Sequence, residues 1–180
     1  MVNFGDAETE DLLERQIIIT VEDFQKGATA PTDQTVGTTP EIPVLLFDAT
    51  NETAGFNAML PRDIDVAVNS KLILTVALSE AESNNDTLDM TLDYVVVDEG
   101  QNSNLTKTST QVTGTRTVTT AEGLALGDVY TIEFNFDHGD ANNPLTALST
   151  AILIEFHLTN ITGVVEFHLI SGCYAYEALY

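Results

Sequence analysis

The tetrapeptide Glu-Phe-His-Leu occurs twice near one end of the chain, at 155–158 and again at 166–169. Two imidazoles and two carboxylates in so short a stretch are the ligand types of a Zn²⁺ or similar site. The same residues also suit an ordinary patch of cross-strand pairs. Asn160-Ile161-Thr162-Gly163 lies between the repeats and has the chemistry of a tight turn. A hairpin about those four residues would set Glu155 opposite His168 and His157 opposite Glu166. Ile154, Phe156, Leu158, Val165, Phe167 and Leu169 would then share a core face, with both glutamates and both histidines on the other. Opposite-charge pairs across strands contribute roughly 0.2–1 kcal/mol each. They also guard register, because a slip of one residue would turn the phenylalanines out of the core. No third histidine lies nearby, and an exposed sheet face offers few groups to orient metal ligands. The patch therefore reads as structural. Ala151, Leu153 and Ile170 extend the face with apolar groups, a mixture that suits a subunit interface. Histidine protonation near neutral pH would tune such an assembly.

A second oxygen-rich cluster is Asn135–Pro144, "NFDHGDANNP", with Asp137, Asp140 and Asn142 as candidate Ca²⁺ ligands. Its spacing departs from the EF-hand pattern, and the loop reads in preference as a turn with solvated charges. There is no Gly-x-Ser-x-Gly elbow, P-loop or dinucleotide fingerprint. Three histidines in all give a hydrolase triad no support. Cys173, the sole cysteine, sits in a strand-like stretch and reads as a small apolar residue. The expectation is a non-enzymatic protein with no cofactor, Ca²⁺ or another cation being the open alternative. A metal-dependent cupin-like enzyme using His157, His168 and a glutamate is the catalytic alternative.

The elements that must position these residues are nearly all strands. Segments rich in Val, Ile, Thr, Phe and Tyr alternate with Gly, Asn, Asp and Pro from residue 17 onward. Expected strands are 17–24, 44–47, 55–60, 71–79, 87–97, 129–136, 151–158 and 164–176. In 87–97, Leu88, Met90, Leu92 and Tyr94 alternate with Asp89, Thr91 and Asp93, the period of a strand with one wet face. The stretch 71–79 is apolar throughout and should lie centrally with both faces covered. Thr-rich 107–120 reads as an exposed ribbon or edge hairpin around Gly114. Arg62 in "LPRDID" reads as held by the carboxylates beside it. One short helix is expected at 6–15, with acidic residues early and Arg15 late. The fold class is thus all-β: a single-domain antiparallel β-sandwich of jelly-roll type over 17–180, with an N-terminal arm over 1–16.

The charge balance narrows the partners. Six Lys and Arg stand against 28 Asp and Glu, a net charge of −22. Such a chain repels phosphate, so neither direct nucleic-acid binding nor docking on an anionic membrane is expected. Scarce lysine and an acidic surface suit concentrated salt, where mobile ions screen self-repulsion.

The layout resembles the jelly-roll decoration, head-fibre and turret proteins of tailed viruses. The likeness rests on the polar arm, "FNAMLPRDIDVAVNSKLILTVAL" (56–78), "DYVVVDEG", the Thr-rich segment, "GDVYTIEF" and a final strand ending in an aromatic. The composition is similar to that of a virus of a salt-loving, haloarchaeal host. The resemblance implies a homotrimer bound to the major capsid protein or other virion proteins, located on the virion surface and assembled in the host cytoplasm. It implies no catalysis. Leu12 and Leu13 in the arm would help grip the capsid, and Leu153, Glu155, His157, Glu166, His168 and Ile170 would form the interface. A tail or baseplate jelly roll, or a carbohydrate-binding module for attachment to host surfaces, is the alternative. Against the last, the chain has no Trp and only 5 Tyr on which a sugar could stack.

Overall fold

A computed structural model describes residues 14–79, 81, 87–101, 106–117, 119, 123–162 and 166–179, the side chains of 160–162 excepted. Eleven strands run in chain order: β1 Glu14–Thr20, β2 Gln25–Lys26, β3 Thr32–Val36, β4 Ile42–Phe47, β5 Thr53–Met59, β6 Ser70–Leu78, β7 Thr87–Asp98, β8 Thr110–Thr117, β9 Val129–Phe136, β10 Ser149–Thr162 and β11 Phe167–Glu177. They form two antiparallel sheets. One has the order β3-β4-β11-β6-β9, with β1 also paired to β11; the other has the order β2-β5-β10-β7-β8. The two sheets pack face to face as a jelly-roll β-sandwich. A 3-10 turn at Val21–Asp23 follows β1, and no α-helix occurs among the described residues.

Alternation makes the core. Leu88, Met90, Leu92 and Tyr94 of β7 and Tyr130, Ile132, Phe134 and Phe136 of β9 are each at most 4 % exposed. The odd-numbered residues between them lie on the other, solvent-facing side of each strand, as the period of two requires. β6 lies inside its sheet as expected, but only one side is sealed: Leu72, Leu74, Val76 and Leu78 are buried, while Lys71, Ile73 and Thr75 are half-exposed. Among the described residues β8 is an edge strand paired to β7 alone. It is not a hairpin turning at Gly114. That glycine lies within the strand, and a Cβ there would sit 2.8 Å from Phe134 and 2.9 Å from Ile132. The sheets come so close at this point that only glycine fits.

The hairpin expected between the two Glu-Phe-His-Leu segments does not form. β10 is bound on one edge by β5 and on the other by β7, and β11 is bound by β6 on one edge and by β4 and β1 on the other. A strand has two hydrogen-bonding edges, so neither has one left for its neighbour in sequence. Asn160–Thr162, taken for the turn, continue β10 against Leu88 and its neighbours. The chain then crosses from one sheet to the other. The repeated phenylalanines nonetheless meet: Phe47 of β4 stacks on Phe167 at 5.0 Å and touches Phe156 at 6.0 Å.

Strand structure begins before residue 17. Glu14, Arg15 and Gln16 belong to β1, opposite Glu177, Tyr176 and Ala175. The end of the expected helix is therefore strand, because β11 offers an edge that a short polar helix cannot match. The rest of that helix, with Leu12 and Leu13, lies outside the described residues. Arg15 reaches across to Asp63, Nη1 to Oδ2 at 2.5 Å. This long-range pair takes the carboxylate expected to hold Arg62.

Candidate functional site

The crossover places the polar residues of the two repeats on opposite outer faces of the sandwich. Leu153, Glu155 and His157 project from the five-stranded sheet. Glu166, His168 and Ile170 lie at or in β11 of the other sheet. The four Glu and His side chains thus form neither one metal site nor one interface patch. His168 is largely buried beside Leu46 and Ala77, its Nε2 3.0 Å from Gln34 Oε1. Burial lowers its pKa. Ser79 Oγ approaches Glu166 Oε2 at 3.4 Å.

The Asp137–Asn142 loop turns its oxygens inward. Asp140 Oδ1 accepts hydrogen bonds from Thr110 Oγ1 at 2.6 Å and from the Asn142 and Asn143 N–H groups at 2.9 Å. The bond from Thr110 holds the Asp140 carboxyl below its usual range. Asp137 Oδ1 accepts from the Gly139 N–H. These are turn caps of the Asx kind. Among the described residues no group of three or more His, Cys, Asp or Glu side chains converges on a point that could hold a metal.

Sequence reasoning missed the buried polar cluster behind this loop. His138 Nε2 is 2.7 Å from Ser70 Oγ and accepts from the Ser70 N–H at 3.1 Å, and Ser70 Oγ is 2.6 Å from the Tyr174 hydroxyl. A Ser–His contact of this length suggests a nucleophile and its base. Here both residues are buried and packed against Phe136 and Tyr174, with no room for a substrate. Burial depresses the His138 pKa and raises that of Tyr174 to about 12. The cluster is a neutral strut joining β6, β11 and the loop after β9.

The most developed polar surface is the outer face of the five-stranded sheet. Register aligns Gln25, Gly55, Glu155, Asp93 and Gln111 in one rung across all five strands. Thr53, His157, Thr91 and Thr113 form the next rung; Asn57, Leu153 and Val95 form the rung on the other side. Asp93 is the hub. His157 Nε2 lies 2.9 Å from Asp93 Oδ2, Gln111 Nε2 donates to the same oxygen at 3.3 Å, and Ser109 Oγ donates to Oδ1 at 3.3 Å. Glu155 is exposed and has no partner among the described residues. Asn57, Asp93, Val95, Ser109, Leu153 and Glu155 line a shallow groove of about 380 Å³. The alternation of β7 and β10 foretold that these side chains point outward. Their convergence depends on pairings between distant segments, which no local pattern encodes.

No protein-family model and no curated protein matches the chain. Solved structures do. A xylan-binding module, CBM15, superposes with a TM-score of 0.51 at 9% identity, covering 93% of this chain and 99% of that one. A non-crystalline cellulose specific carbohydrate-binding module, CBM28, superposes with a TM-score of 0.50 at 10% identity, covering 89% of each chain. The chain therefore shares the β-sandwich fold of these modules over nearly its whole length.

Proposed function

We propose that this domain is a non-catalytic β-sandwich recognition module whose five-stranded outer face binds an extended glycan. The single observation that carries the reading is the rung of hydrogen-bonding groups centred on Asp93 and Glu155, set above a groove with Leu153 and Val95 in its wall. A sugar presents the same mixture: hydroxyls that want paired carboxylates and amides, and C–H faces that want small apolar contacts. The fold shared with xylan- and cellulose-binding modules supports the reading. Binding without an aromatic platform rests on hydrogen bonds to charged groups, each worth about 1.5–3 kcal/mol. Loss of one should weaken affinity at least tenfold or so.

The test is titration of the ¹⁵N-labelled protein with xylo- and cello-oligosaccharides. Shifts confined to β7, β8 and β10 around Asp93, Glu155 and Gln111, and lost in Asp93→Ala, are the expected result. No shift with any oligosaccharide in a broad panel would overturn the glycan reading.

A second reading concerns where such a module works. The run 56–78 that carries the likeness to viral decoration and turret proteins folds as β5, the Leu60-Pro61 turn, the loop to Asn69 and β6. The likeness in sequence is the support for a virion-surface subunit that contacts capsid proteins, and a glycan face would suit attachment to a host surface. Mass spectrometry of purified virions tests this; absence of the chain from particles would remove it.

A further inference from the structure

The sandwich leaves one side open, where β1 of the six-stranded sheet runs beside β5 of the other. Among the described residues β1 pairs only with β11, and no backbone group bonds its outer edge. On that side β5 is held at Ala54 and Gly55 by β2 and at Thr53 by the backbone of Gly27 and Thr29, which leaves Phe56–Met59 without a backbone partner there among the described residues. A groove of about 290 Å³ lies between the two free edges. Ile18 is 65% exposed on one rim and Met59 is 73% exposed on the other.

Beyond Glu14 and Arg15 at the start of β1, these edges lack the usual protection. Unpaired strands are normally guarded by a charge, a proline or a bulge that discourages pairing with another chain. The other edge strands follow that rule: β3 carries Asp33, β9 carries Glu133 and β8 carries Arg116. β5 has no charge at all, and β1 has none from Gln16 to Thr20. In a chain of net charge −22, an uncharged, isoleucine-rich edge is a marked departure.

The sequence of that edge also matches itself. Gln16-Ile17-Ile18-Ile19-Thr20 reads polar, three isoleucines, polar. Antiparallel pairing about Ile18 sets Ile18 opposite Ile18 of a second chain, each Ile17 opposite an Ile19, and each Gln16 opposite a Thr20. Opposed residues share a face, so the Ile17 and Ile19 side chains stay on the core side and the exposed Ile18 pair is covered outside.

We propose that β1 is the interface to a second copy of this chain, joining two six-stranded sheets edge to edge about a two-fold axis. The proposal stands apart from the glycan reading, which uses the opposite sheet. Closed two-fold pairing consumes the free edge and stops at two copies. It also predicts an unusual salt dependence. Two chains of −22 each repel at low ionic strength, where the screening length is about 10 Å near 0.1 M, so added salt should promote the dimer.

The experiment is light scattering of the full chain from low to molar NaCl, alongside Ile18→Lys and Gln16→Lys. Both positions are exposed, so circular dichroism should show the fold intact. The expected result is a dimer fraction that rises with salt in the parent and falls at least tenfold in association constant in each variant. Amide exchange should show Gln16–Thr20 protected in the dimer. A trimer, a monomer at every salt concentration, or a dimer that survives both substitutions would overturn the proposal. So would a monomer with protected Gln16–Thr20 amides, which would give the edge to another segment of its own chain.

Discussion

His138 illustrates how a residue with catalytic credentials becomes structural. Its Nε2 accepts from Ser70, so the ring is neutral, and Nδ1 is buried without a hydrogen-bond partner. Protonation would put a charge beside Tyr174 and Phe136 in a closed core. Burial is the dominant cause of the lowered pKa, with the Val66 backbone and then the charges of Asp137 and Asp65 pulling the other way. A histidine whose folded pKa is depressed takes up its proton more readily when unfolded. Its contribution to stability is complete above the unfolded value near 6.5 and is lost as pH falls through the folded one. His138→Asn should lose about 1–3 kcal/mol in urea unfolding at pH 7, since the Ser70 N–H and hydroxyl lose a partner in a closed core. The gap between parent and variant should narrow as pH falls below about 6.5. A gap constant with pH would mean that the ring does not titrate in that range. Asp93 stands in contrast, being partly exposed. Asp93→Ala should change stability by no more than about 1 kcal/mol, as surface pairs do, while abolishing the glycan shifts.

At the scale of elements, the packing between sheets sets the sharpest limits. Phe47 touches the phenylalanines of both repeats, so Phe47→Ala would open a cavity between the sheets and cost about 3–5 kcal/mol. Gly114→Val forces a side chain into Phe134 and Ile132 and should cost at least about 1–3 kcal/mol through overpacking. Thermal or urea unfolding reads both. Elements were also where the sequence was most informative. The alternation in 87–97 and 129–136 marked β7 and β9, with their inward residues, because period two is a local property. The glutamates and histidines at 155–168 show the limit. Glu155 and His157 do project from the outer face of their sheet, but His168 is largely buried, and the supposed partners of all four were wrong. Pairing is decided by which distant strand occupies an edge, and β5, β7, β4 and β6 had already claimed those of β10 and β11. For the same reason Asp93 could be seen as an outward carboxylate but not as the centre of a network with His157, Gln111 and Ser109.

For the whole molecule, charge and topology dominate. A net charge of −22 on a 19.5 kDa chain loosens the compact state through self-repulsion. The unfolding midpoint should rise with NaCl over the range in which the Debye length shrinks from about 10 Å toward 3 Å. A midpoint independent of salt would show that the carboxylates are too dispersed to matter. The crossover between β10 and β11 has a different consequence, one of timing. β10 joins β5 to β7, and β11 joins β6 to β4 and β1. Before residues 149–177 leave the ribosome, the earlier strands can pair only as β2 with β5, β3 with β4, β6 with β9 and β7 with β8. No nascent chain ending short of these two strands has either sheet. Folding of this domain must therefore wait for residues 149–177, leaving the acidic stretch before them unfolded in the hands of the cell until two keystones arrive together.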